Sequence, residues 1–123
     1  MINVAAGWDL AVDISAEWIF VRLHRDRDDA EHMPRLAERV WSIAEEHQKF
    51  RVVMEFDEGI LLTSHLVGQI VLLHKRLHQR SGVLRICGLT KTNYQVLEIM
   101  RLHTRFPNYL TRENAVMGHV IQE

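Results

Sequence analysis

Hydrophobic spacing changes along the chain from strand-like runs to helix-like repeats and back, and this alternation limits the folds that the sequence can adopt. Residues 10–14 and 18–23 are apolar or alternate over strand lengths, with a short polar break between them. Residues 34–48 then carry apolar side chains at helical spacing, and the nearly continuous apolar run 51–56 follows. This pattern predicts an antiparallel hairpin, a helix and a buried central strand joined by a right-handed crossover.

The start of the first helix is predicted from charge. Negative side chains suit a helix N-terminus, and a proline is tolerated in the first turn. The residues that carry this signal are Asp26, Asp28, Asp29, Glu31 and Pro34.

The second half of the chain continues the alternation of helices and strands. Apolar residues at helical spacing, Leu66, Ile70, Leu73 and Leu77, predict a second helix that ends near Gly82. The remaining predicted elements are a strand over 83–89, a helix capped by Thr90 or Thr92, an edge strand or turn over 106–110, and a short helix capped by Thr111. We therefore expect an α/β fold, a small mixed β-sheet of four to five strands packed with about four α-helices.

The bulk composition fits one globular domain over residues 1–123. Lys plus Arg number 15 and Asp plus Glu number 16, so no overall charge attracts nucleic acid or an anionic membrane. The single cysteine, Cys87, cannot form an internal disulfide, which favours a reducing compartment. Neither a signal sequence nor an apolar run of roughly 20 residues is found. The expected location is the cytoplasm.

Three segments resemble one known family, the STAS domains. The sequences VLLHKR at 71–76, VLRICGL at 83–89 and FPNYLTRENA at 106–115 are similar to the family patterns VLxxLHKR, GGxLxLxGL and LFPVYxTREEAL. Residues 94–100 also resemble the family segment VREVLELTGL. The resemblance covers about the last 70 residues, and the first 50 agree in the order of elements. It implies a STAS-type fold and a function like that of anti-sigma-factor antagonists.

The resemblance also implies a position for a regulatory turn. Antagonists of this family carry Asp-Ser-Ser-Gly between the third strand and the second helix, and a partner anti-sigma kinase phosphorylates the second serine. Counting back from the LHKR segment places Thr63, Ser64, His65 and Leu66 on these four positions. The family acceptor position is therefore His65, and the phosphorylation site is degenerate. Ser64 and Thr63 remain as phosphorylation candidates, or as caps of the second helix.

The expected partner-binding surface surrounds this turn. Its residues are Leu61, Leu62, Thr63, Ser64, His65 and Leu66. The apolar run 60–62 has two interpretations, since it can pad the core or leave an apolar patch for a partner.

The favoured hypothesis is a non-enzymatic module that regulates transcription or stress signalling by binding an anti-sigma serine kinase or a related regulatory protein. Two alternatives stay open, a self-associating STAS scaffold subunit without switching and a small-ligand or nucleotide-binding STAS domain that uses a helix N-terminus. A pull-down that recovers a kinase would favour the first hypothesis, and one that recovers only the protein itself would favour the scaffold.

No catalytic residue, metal site or cofactor is expected. His74 and His78 have the i, i+4 spacing of a zinc pair, but no Glu lies between them, which favours a solvated basic face. Cys87 lies within an apolar strand, which indicates a core thiol and argues against a nucleophile.

Overall fold

The computed structural model describes residues 2–25 and 35–119 of the chain. These ranges contain six strands and four helices. Their bounds are β1 Ile2–Ala5, β2 Trp8–Ile14, β3 Ile19–Arg25, α1 Leu36–His47, β4 Arg51–Phe56, α2 Ser64–Gln79, β5 Val83–Cys87, α3 Lys91–Ile99, β6 Asn108–Tyr109 and α4 Arg112–Met117. The α/β class is confirmed, and the sheet has more strands than the four to five expected.

The additional strand is β1, which forms a hairpin with β2. Its four residues are too few to show a hydrophobic period, so the sequence pattern missed it. Two local features make the hairpin possible. Gly7 has φ 81°, a left-handed conformation that glycine adopts without steric cost. The Asn3 side-chain amide donates to the carbonyl oxygens of Ala5 at 2.9 Å and Trp8 at 3.2 Å, beside a register shift in the pairing.

The strands lie in the sheet in the same order as in the sequence, β1 to β6. The first three are antiparallel, and β3 to β6 are parallel, so each later strand returns through a helical connection. Parallel pairing of β3 with β4 around α1 confirms the predicted crossover connection. Because β4 lies inside this sheet, both of its faces are covered, as its continuous apolar run predicted.

The core consists of two clusters of buried side chains, a larger one on one face of the sheet and a smaller one on the other. Helices α1 and α2 pack against each other over one face of the sheet, and Val52, Met54 and Phe56 of β4 point into this larger cluster. Val53 points to the opposite face, where α4 contacts β4, β5 and β6. The smaller cluster on that side consists of Trp18, Val53, Cys87, Tyr109 and Ala115.

Helix ends follow the capping chemistry of the sequence. The side chains of Thr63, Thr90 and Thr111 each accept a hydrogen bond from a backbone N–H in the first turn of α2, α3 and α4. Helix α2 ends at Gln79, before Gly82. A Cβ atom at position 82 would lie 2.1 Å from the Phe50 carbonyl oxygen, which explains why this position is a glycine.

Helix α1 begins at Leu36, two residues later than the predicted start near 34. The acidic cluster and proline expected at its N-terminus, Asp26, Asp28, Asp29, Glu31 and Pro34, lie outside the described residues.

Candidate functional site

The segment between β4 and α2, residues 57–63, lies at the carboxyl edge of the parallel part of the sheet. We call it the β4–α2 turn. Ligands of open α/β sheets are commonly bound outside this edge. The turn leads directly into Thr63, whose side-chain oxygen accepts a hydrogen bond from the Leu66 N–H at 3.2 Å and so starts α2. The predicted regulatory residues therefore lie at the tip of the turn and in the first turn of a helix.

The structure separates the predicted partner-binding residues into two groups. Leu62 and Leu66 are 3% and 1% exposed and belong to the core, so their side chains are not available to a partner. Leu61 is 56% exposed and points to solvent. Ser64 is exposed, and Thr63 and His65 are half-buried. The two interpretations of the apolar run thus apply to different residues, with Leu62 as core padding and Leu61 as surface.

The two candidate hydroxyls differ in their environment. The Thr63 oxygen is engaged in capping α2, as described above. Ser64 lies in the first turn of α2, and its side chain makes no hydrogen bond within residues 2–25 and 35–119. Of the two hydroxyls, that of Ser64 is the more exposed and is not engaged in capping.

The beginning of the β4–α2 turn is anchored by Asp57. Its backbone N–H donates to the Leu23 carbonyl at 3.1 Å, and its carboxylate accepts hydrogen bonds from Arg22 at 2.8 Å and from His24. Partial burial alone would raise the pKa of Asp57, but the hydrogen bonds from Arg22 and His24 outweigh it and hold the pKa below its ordinary value. Strand β3 therefore holds the first residue of the turn.

The middle of the turn is held by Asn93, on the first turn of α3. This side chain is 2% exposed. Its Nδ2 donates to the Ile60 carbonyl at 2.8 Å, and its Oδ1 accepts from the Leu62 N–H at 2.9 Å. Sequence reasoning missed this residue, although Asn93 stands four positions before Leu97, on the face of α3 that turns to the core. A polar residue at an apolar helical position was the available signal.

A network of charged side chains extends from the turn across the face of the sheet opposite α1 and α2. Arg22 links Asp57 to Glu55, and Arg112 of α4 binds both Glu55 and Asp13, the latter at 2.9 Å. These residues belong to β2, β3, β4, α4 and the turn. The sequence pattern could not predict the network because its members meet only through the sheet register.

A groove of about 560 Å³ lies between α1 and α2, beside the start of α2. His65, Gln69 and Leu72 line it from α2, together with Arg76, whose guanidinium lies over the Trp41 ring of α1 at 4.9 Å. Leu72 is 48% exposed. Leu72 thus lies on the exposed side of α2, beside this groove.

The other candidate chemistry takes no part in this site. The His74 and His78 rings stack at 6.1 Å, and no group of three potential metal ligands occurs in the described part of the chain. Cys87 is 1% exposed, and burial, with a smaller contribution from Glu55, raises its pKa to about 12. It is a core thiol, as predicted. None of the described helices is long and apolar enough to cross a membrane.

Comparison with known proteins gives matches in structure only. No family model and no curated protein matches the sequence. The chain is similar to the crystal structure of an anti-sigma factor antagonist from Mycobacterium paratuberculosis, with a TM-score of 0.69 and 14% identity over 90% of this chain and 92% of that one. It is also similar to the NMR structure of the protein TM1081, with a TM-score of 0.70 and 13% identity over 86% of this chain and 84% of that one. The expected STAS-type fold is thereby confirmed.

Proposed function

Because the chain has the fold of an anti-sigma factor antagonist, we propose that it is a non-enzymatic regulatory module that binds an anti-sigma serine kinase or a related regulator in the cytoplasm. One observation carries the proposal. The β4–α2 turn leads directly into Thr63, Ser64, His65 and Leu66, where the family resemblance places the regulatory site; it is fixed to the body of the protein and yet presents Leu61 at 56% exposure. An exposed leucine on a well-anchored turn offers apolar area that a partner can remove from water at little cost in conformational entropy.

The proposed binding surface begins at Leu61 and continues along α2. Ser64 and His65 follow the turn, and Leu72 and Arg76 lie farther along the helix beside the groove. Exposed apolar side chains next to an arginine stacked on a tryptophan resemble the composition of protein–protein interfaces, in which aromatic residues and arginine are enriched.

Phosphorylation at Ser64 would switch this surface. A phosphate adds close to two negative charges at about pH 7. It would lie at the N-terminus of α2, where negative charge is tolerated by the helix, and within the proposed contact area. The added charge would require desolvation on binding and would repel an acidic partner, so phosphorylation is expected to weaken the complex. Thr63 is the poorer acceptor because it caps the helix.

The test is a binding measurement with the purified chain and each anti-sigma-type serine kinase encoded in the same genome, by isothermal titration calorimetry. Leu61→Asp should weaken binding by at least about tenfold, because it places a charge at the centre of an apolar contact. Ser64→Glu should also weaken it. Leu62→Asp is unsuitable, since a charge at a position 3% exposed would unfold the protein.

The matched control is Met117→Asp, which makes the same kind of change at a residue 78% exposed on α4, on the opposite face of the sheet. It should bind as the unaltered protein does, and circular dichroism should show that all variants are folded. Failure of the unaltered protein to bind any such kinase contradicts the proposal. If light scattering then shows stable self-association, the scaffold alternative is favoured.

A further inference from the structure

We propose that Asn93 is the positioning residue of the β4–α2 turn, which it holds in the conformation that presents Leu61. This inference deepens the proposed function and rests on it, since it explains how the binding surface is kept ready for a partner. The evidence is the placement of one buried side-chain amide between α3 and the turn.

The two hydrogen bonds of Asn93 fall on either side of Leu61. The donor bond reaches the carbonyl of Ile60, and the acceptor bond comes from the N–H of Leu62. Ile60 and Leu62 are each 3% exposed, whereas Leu61 between them is 56% exposed. Holding the two neighbours against the core leaves only the outward direction for the side chain of Leu61.

The bonding pattern of the amide also fixes its orientation. A carbonyl oxygen only accepts and a backbone N–H only donates, so the side-chain nitrogen must face Ile60 and the oxygen must face Leu62. The Asn93 amide is 2% exposed, so its oxygen and nitrogen would be buried without hydrogen-bond partners if the turn moved away. A polar group that is buried without a hydrogen-bond partner destabilises the fold, because it has lost its hydrogen bonds to water without replacement. The turn is therefore held at this point even though it is a surface loop.

The consequence is a preformed binding element. A loop that must order itself on binding loses conformational entropy, which reduces affinity. Because Asn93 holds the turn, the turn is already ordered in the free protein, and this entropy is lost on folding and not on binding. It also ties the turn to α3, whose start is separately fixed by Thr90, since the Thr90 hydroxyl oxygen accepts a hydrogen bond from the Asn93 N–H at 3.2 Å.

The first test is Asn93→Val, which fills the site with an apolar side chain and removes both hydrogen bonds. Hydrogen exchange measured by NMR should become faster by about tenfold at the Leu62 amide, relative to amides of β4, because the local bond is lost. The control is Leu97→Ala on the same helix, which removes core packing but leaves Asn93 in place. It should speed exchange through global destabilisation without singling out Leu62.

The second test uses the near-isosteric variant Asn93→Asp, whose acid form can both donate and accept as the amide does. Burial raises the pKa of a carboxylic acid, so the protonated form is favoured at acid pH in this site. The Leu62 amide chemical shift should be native-like at low pH and should move away as the carboxylate forms. Asp57, at the start of the turn, titrates in the unaltered protein as well, so only the transition that Asn93→Asp adds to that background counts as rescue. A merely space-filling role for residue 93 would not produce this pH-dependent rescue.

Binding is then measured by calorimetry with the kinase that the unaltered chain recognises. Asn93→Val should lower affinity, and Leu97→Ala should retain it at a temperature where both are folded. Unchanged exchange at Leu62 in Asn93→Val would overturn the inference, as would equal affinity of the two variants. If the unaltered chain binds no kinase, the proposed function fails, while the exchange data still report whether Asn93 holds the turn.

Discussion

At the scale of single residues, the site depends on polar groups placed where the sequence pattern predicts apolar or loop positions. Thr63 and Ser64 were identified from the sequence, and their division into a helix cap and an open hydroxyl needed the structure. The sequence analysis did not single out Asp57. Its role follows from the register of β3, which brings Arg22 and His24 to its carboxylate.

The Asp57 anchor predicts a pH-dependent stability. The pKa of Asp57 is lowered in the folded protein, so its contribution is present above the unfolded-state pKa of about 4 and is lost as the pH falls through the folded-state value. Asp57→Asn should lower the free energy of unfolding at about pH 7 by roughly 0.5 to 1 kcal/mol, a figure typical of partly exposed pairs. Urea denaturation at several pH values measures it.

The difference between Asp57→Asn and the unaltered protein should shrink as the pH falls below the unfolded-state pKa of about 4 and on through the lower folded-state pKa, because only below both values is the aspartate protonated in both states. Glu58→Gln is the control, since Glu58 lies in the same turn, is exposed and forms no ion pair among residues 2–25 and 35–119. A difference that stays constant with pH would assign the effect of Asp57→Asn to packing instead of charge.

At the scale of helices and strands, capping residues predicted helix starts better than hydrophobic spacing predicted strand bounds. Thr111 caps α4, as predicted. Of the two candidates for the cap of α3, Thr90 and Thr92, the residue that caps the helix is Thr90. Strand β1 was not predicted, because its four residues are too few to show a hydrophobic period. The C-terminus of α3 is also unusual, since Arg101 follows the helix with φ 58°, in the left-handed region that favours glycine.

Arg101→Gly should therefore stabilise the protein. Removing the Cβ relieves the strained conformation, while the greater freedom of glycine in the unfolded chain offsets part of the gain. We expect the free energy of unfolding to rise by about 0.5 kcal/mol. The control Gln95→Gly, at an exposed position in the middle of α3, should lower it by about 1 kcal/mol. Equal effects of the two substitutions in urea denaturation would show that position 101 is not strained.

At the scale of the whole molecule, the sequence predicted the class, the crossover and the location of the turn, because these follow from spacing and from turn chemistry. It could not predict the contacts that join distant segments. The hydrogen bonds of Asn93 to the β4–α2 turn and those of Arg112 to Glu55 and Asp13 join residues more than 30 positions apart. Hydrophobic periodicity gives no information on such pairs. Leu62 and Leu66, which were predicted to belong to the partner-binding surface, are instead buried in the core.

Cys87 offers a probe of the complete unfolding of the molecule. Its thiol is 1% exposed, and burial raises its pKa to about 12, so the reactive thiolate is scarce in the folded state. Labelling by a disulfide reagent should be slow in native buffer and should increase in urea in step with the loss of circular dichroism. Rapid labelling before that transition would show that the layer beneath α4 opens locally.

The order of the strands in the sheet bears on how the protein folds during its synthesis. Each strand pairs with the strand that precedes it in the sequence, so a chain emerging from the ribosome can add strands one at a time to an edge that already exists. Such vectorial assembly limits the time that any unpaired edge is available to other nascent chains. Arg112 reaches back across the sheet to Asp13, 99 residues earlier, and so forms its contact only after the intervening strands are in place.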